Sequence, residues 1–169
     1  MMLCLTLVWN VRSIHTVKRR IMTQEDKNIL LKDLCMRIPY RTFVCLNPGA
    51  YNKPETCILT GVHGEHVHLN VDSDPFRIDN IKPYLRPMSN MTDEELKELN
   101  DKYGSIAYFF TQESPYYHGL QVQHSDIGSI EISEFSEIYD WLNAHHFDYR
   151  GLIESGLALE APEGMYKND

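Results

Sequence analysis

Residues 140–150 read DWLNAHHFDYR. The adjacent imidazoles of His145 and His146, with the carboxylate of Asp148 two positions on, are side chains that metal-assisted hydrolysis or general acid–base catalysis would use. Trp141, His146, Tyr149 and Arg150 are also residue types that anchor binding surfaces. Helix geometry weighs against a catalytic constellation, because neighbouring helical side chains point ~100° apart and cannot both face one ion. Most of these residues also have a local structural use. His145 and His146 suit the negative C-terminal end of a helix over 134–145. Asp148 suits the N-cap of a short helix over about 149–155, with Phe147 and Leu152 at the positions of a hydrophobic staple. Gly156 is placed as its C-cap, with Leu157 folding back on Leu152 as a Schellman motif requires. On this reading asparagine replaces Asp148 at little cost, His146 faces solvent, and Arg150 projects from the first helical turn.

A second cluster, HGEHVH at 63–68, carries His66 and His68 on one face of a strand and Val67, Leu69 and Val71 on the other. Two imidazoles at that spacing are candidate metal ligands. The plainer expectation is the polar face of a half-exposed hairpin, since no cysteine or carboxylate stands at ligand spacing. The aromatic runs YFF (108–110) and PYY (115–117) read first as core and second as a recognition surface. No dinucleotide-binding, P-loop, zincin or nucleophile-elbow motif is present. Cys35, Cys45 and Cys57 all sit in apolar runs, as small packed groups do and reactive thiols do not. With Cys4 they form no CxxC pair, and a disulfide framework is not expected.

The elements that must position these residues follow from hydrophobic spacing. A helix is expected over 23–37, with Thr23 as N-cap, Ile29, Leu30, Leu34 and Cys35 among its apolar positions, and Pro39 ending it. RTFVCL (41–46), TCILTGV (56–62), EHVHLNV (65–71) and FRI (76–78) read as strands, the middle two as a hairpin. IKPYLRP (81–87) reads as a tight turn that leaves the sheet. Thr92 and Glu95 form a capping box for a helix over 92–102, with Gly104 as its C-cap. Strands or extended segments are expected at 105–111, 119–124 and 129–133. The result is an α+β protein: an N-terminal helix, a small SH3-like barrel or curled antiparallel sheet, a middle helix, further short strands and a C-terminal helix pair. Residues 22–166 are expected to form one domain, divisible at most into 22–90 and 91–166.

The net charge of −8 conceals an asymmetry. Residues 1–21 hold Arg12, Lys18, Arg19 and Arg20 and no acid. Removing these four from 16 basic residues leaves 12 against 24 acidic ones, a net of −12 for 22–169. A body that acidic repels phosphate backbones and disfavours nucleic acid as a partner. The apolar run near the start spans about eleven residues, short of the ~20 that cross a bilayer, and its basic residues follow it rather than precede it. We expect 1–21 to be a non-native or disordered extension and the natural start to be Met22; a short membrane-surface segment is the alternative.

The segments MTQEDKNILLKDLC, KPYLRPMSNMTDEE and WLNAHHFDYRGLIESGLALEAPEGMY resemble a family of small proteins carried by phages and prophages of gut bacteria. The resemblance covers both ends of 22–166 and implies no activity. With the lack of catalytic motifs and the acidic body, the leading expectation is a non-enzymatic cytoplasmic protein without a cofactor or membrane span. It would act by contact with a host or phage protein, for example by modulating a host factor or defence system. The rivals are a metal-dependent hydrolase or nuclease using His145, His146 and Asp148, perhaps joined by His66 and His68, and a small-ligand-binding module.

Overall fold

The Thr23 hydroxyl accepts the Asp26 N–H at 3.1 Å and the Asp26 carboxylate accepts the Thr23 N–H at 2.9 Å, so a capping box starts helix α1 (Gln24–Arg37). A 3-10 turn with Pro39 at its centre follows, and Arg41 at φ 51° turns the chain into the sheet. The computed structural model describes residues 21–46, 54–103 and 132–166. Within them lie strands β1 (Phe43–Leu46), β2 (Glu55–His63), β3 (His66–Leu69), β4 (Phe76–Arg77) and β5 (Ile81–Leu85). Helices α2 (Asp93–Tyr103) and α3 (Ile132–Ala144) and strand β6 (Leu159–Glu160) complete an α+β architecture. Among the described residues no helix is long and apolar enough to cross a membrane.

The sheet order is β4-β3-β2-β1-β5-β6, antiparallel throughout except for the parallel pair β5–β6. The described ladders leave β4 and β6 at its two ends, and none closes it into an SH3-like barrel. Two expectations are corrected. Residues 81–85, read as part of a turn because of Pro83, form a strand between β1 and β6. Their alternation shows why: Ile81, Pro83 and Leu85 are buried, and Lys82 and Tyr84 half-buried. Residues 149–155 are a succession of turns rather than the second helix of a pair, with a single i to i+4 bond from Ser155 N–H to Gly151 C=O. The Schellman closure does form: Gly156, at φ 74°, donates to Ile153 C=O, and Leu157 donates to Leu152 C=O at 2.8 Å. In addition, α3 begins at Ile132, so the last two residues of the strand expected over 129–133 are helical. The expected strands at 105–111 and 119–124, the two aromatic runs, Gly104 and residues 1–20 lie outside the described residues.

Two apolar clusters form. Leu30 and Leu34 of α1 pack on Val44, Leu59, Val67, Ile81 and other sheet residues, and Leu152, Leu157 and Ala158 return from the C-terminal side to this same cluster. Met22 also packs against it, while Ile21 is 89% exposed. The second cluster joins Leu99 of α2 to Ile138, Trp141 and Leu142 of α3 and to Phe147 and Tyr149. Each fully buried Leu or Ile contributes ~1.5–3 kcal/mol of transfer free energy. Phe147 and Leu152 thus serve different clusters and make no staple. Cys45 and Cys57 are buried and Cys35 is exposed, against the expectation that it packs.

Candidate functional site

The stretch singled out by its chemistry lies where α1, the end of β5 and α3 meet. Arg86, just past β5, donates its N–H to His146 C=O at 2.8 Å and accepts the Asp148 N–H at 2.8 Å, so residues 146–148 run on beside the strand as a parallel bridge. Its guanidinium pairs with both Glu95 carboxylate oxygens at 2.7 and 2.9 Å and lies 4.3 Å from the centre of the Phe147 ring. Burial pushes the Glu95 carboxyl up, but the Arg86 hydrogen bonds, the Thr92 N–H and the nearby positive charges outweigh it and hold it below its usual range. Glu95 also accepts the Thr92 N–H at 2.9 Å, while its own N–H donates to the Thr92 hydroxyl, so the capping box of α2 and the 146–148 segment share one carboxylate.

His145 and His146 diverge. His145 stacks on Trp141 with ring centres 3.8 Å apart, and its Nδ1 lies 2.9 Å from Trp141 C=O. His146 takes the left-handed conformation, φ 59°, which ends the helix and sends its ring inward. The ring is 3% exposed, stacks on Tyr166 at 3.6 Å, and has Nδ1 3.3 Å from the Thr42 hydroxyl. Burial, then the charges of Arg37, His145 and Arg86, lower its pKa from 6.5 to about 3. The expectation that His146 faces solvent is therefore corrected. At neutral pH it is an uncharged aromatic side chain inside the fold.

Asp148 is 8% exposed and both its oxygens are occupied: Oδ1 accepts Leu152 N–H at 2.9 Å and Oδ2 accepts Ile153 N–H at 2.7 Å. It caps a turn rather than a helix, and it does so with two oxygens. Asparagine offers one acceptor and would turn an NH2 group toward the other N–H. Asp148→Asn should then cost about 1–2 kcal/mol and Asp148→Ala about 3 kcal/mol in urea unfolding. An asparagine variant as stable as wild type would contradict the two-oxygen cap.

The binding candidates separate similarly. Trp141 is 7% exposed and its Nε1 donates to Glu98 at 2.9 Å. Tyr149 is buried and its hydroxyl donates to Asn143 Oδ1 at 3.1 Å. Arg150 alone is exposed; its Nε lies 3.4 Å from Asp33, and its guanidinium sits over the Tyr149 ring at 5.1 Å. His66 and His68 are exposed on β3. With side chains as they stand, no group of three or more His, Cys, Asp or Glu among the described residues could hold a metal ion. Burial also pushes the Cys57 thiol up, away from the thiolate that nucleophilic chemistry needs.

Sequence reasoning missed the buried pair Asp33 and Arg37, both fully enclosed in α1. Arg37 Nε lies 2.7 Å and Nη2 3.2 Å from the Asp33 carboxylate, and Nη2 also donates to Phe147 C=O at 2.8 Å. The signal was present, since 30, 33, 34 and 37 form one helical stripe in which an acid and a base stand four apart. The acceptor at Phe147, 110 residues away, is tertiary. Comparison with known proteins returns no family model, no curated protein and no solved structure that matches the chain.

Proposed function

We propose that this chain is a non-enzymatic protein of a phage or other mobile element that works in the host cytosol by binding another protein. The observation that supports this reading is the commitment of the catalytic candidates to the fold: His146 is enclosed and neutral, both Asp148 oxygens hold backbone N–H groups, and His145 is stacked on Trp141. His146 and Asp148 are also almost wholly enclosed, so a substrate has little access to either group. The phage setting in this proposal rests on the resemblance of the segments at both ends of 22–166 to phage-borne proteins.

The binding face we assign is the one where Tyr139, Tyr149, Arg150 and Met36 meet. The Tyr139 and Tyr149 rings are 5.2 Å apart, Arg150 lies over Tyr149, and its Nη2 is 3.1 Å from Met36 Sδ. Tyr139 is 39% exposed, high for a large aromatic side chain. Tyrosine, arginine and methionine are the residues enriched where interfaces are strongest. The test is capture of a partner from host lysate with wild-type chain, a Tyr139→Ala, Arg150→Ala double variant, and a control at exposed Asp74. The account expects one partner retained by wild type and control and depleted at least about tenfold by the double variant. Capture indifferent to the double variant would overturn the assignment of this face.

A further inference from the structure

The outer face of the β2–β3 hairpin carries three histidines, of which strand spacing in the sequence reveals only two. His63 stands directly opposite His66, Val62 opposite Val67 and Gly61 opposite His68. Opposed residues of an antiparallel pair share a face. Val67 is fully buried, so its pair points to the core; His63, His66 and His68 all point outward and all are exposed. A two-residue turn at Gly64 and Glu65, with Gly64 at φ 58°, fixes His63 against His66. Gly61 contributes no side chain beside His68: a Cβ there would sit 3.6 Å from the His68 Cβ and 3.8 Å from its Cδ2. That gap leaves the His68 ring free to swing.

We propose that this face binds one divalent transition-metal ion of the kind that prefers imidazole, Zn2+, Ni2+ or Cu2+, with His63, His66 and His68 as its ligands. Opposed Cβ atoms in such a pair are ~5 Å apart, and residues two apart on a strand are ~6.6 Å apart. A tetrahedral ion with nitrogens at ~2.0–2.1 Å needs ligand atoms about 3.3 Å from one another. Rotation about χ1 and χ2 closes that difference, and the rings are exposed side chains whose rotation opens no core. The ion selects the rotamers, so the affinity is on the order of micromolar, below that of a prebuilt structural site. A donor set of imidazoles favours these ions over Mg2+ or Ca2+, which take oxygen ligands. Binding needs neutral imidazoles and weakens in acid.

Isothermal titration of the full chain with Zn2+ or Ni2+ alone at pH 7.5 is expected to show one ion per chain, and Mg2+ no binding. His66→Gln and His63→Gln should each weaken it at least about fivefold, and the triple glutamine variant should abolish it. All three positions are exposed, so circular dichroism should be unchanged. In the wild-type chain, paramagnetic Ni2+ should broaden the signals of residues 61–69 before any others. No binding, binding that survives the triple variant, or broadening first elsewhere would overturn the proposal. Loss in His66→Gln with none in His63→Gln would overturn the three-ligand form of it.

Discussion

Asp33→Ala should cost about 3–5 kcal/mol, enough to leave a domain of ordinary stability close to unfolding. The substitution leaves the Arg37 guanidinium enclosed with Phe147 C=O as its described acceptor, since Arg37 is fully buried and its Nη1 has no hydrogen-bond partner. It also removes the carboxylate beside Arg150. The cost arises from the charge left behind rather than from the worth of the pair. An Asp33→Leu, Arg37→Met double variant should therefore recover most of it, because an ion pair whose hydrogen bonding is incomplete has a desolvation cost its attraction barely offsets. Urea unfolding of the single and double variants measures both terms. A single variant within about 1 kcal/mol of wild type would show that water reaches this pair.

The second large effect is on pH dependence. The His146 ring ionises near 6.5 when unfolded and at about 3 in the fold. Between those values the unfolded chain holds a proton that the folded chain does not, so the contribution of neutral His146 is complete above pH ~6.5 and is lost progressively down to pH ~3. The full loss is up to ~5 kcal/mol. His146→Gln removes this titration. The variant should be less stable at pH 7, by about 2 kcal/mol for the lost ring packing, and should fall less steeply than wild type between pH 6.5 and 4. Parallel curves for wild type and variant would show that His146 does not titrate between folded and unfolded states.

The residues explain which parts of this fold the sequence could reveal. Local hydrogen-bond chemistry was legible: Thr23 as an N-cap and Thr92 with Glu95 announce their helices, and Gly156 with Leu157 announces a Schellman closure, because donor and acceptor lie within five residues of each other. Alternation revealed the hairpin, since Val67 and Leu69 face the core and His66 and His68 the solvent. Pro83 concealed β5, because a missing N–H outweighed an alternation of buried and half-buried residues that was equally visible. What the 140–150 stretch does was not legible, because its partners come from afar: Thr42 and Tyr166 against His146, and Arg37 and Arg86 against Phe147. A histidine at a helix end reads as solvent-facing until its backbone turns left-handed and sends the ring inward.

The proposed function requires that His145, His146 and Asp148 serve the fold rather than catalysis. NMR titration of the His146 ring in the folded chain, repeated with added Zn2+, tests it most directly. The account predicts a neutral ring whose signals hold steady from pH 7.5 to below pH 4, for as long as the chain stays folded, and do not move when the metal is added. A ring that titrates near pH 6.5, or shifts together with Asp148 on addition of Zn2+, would contradict it.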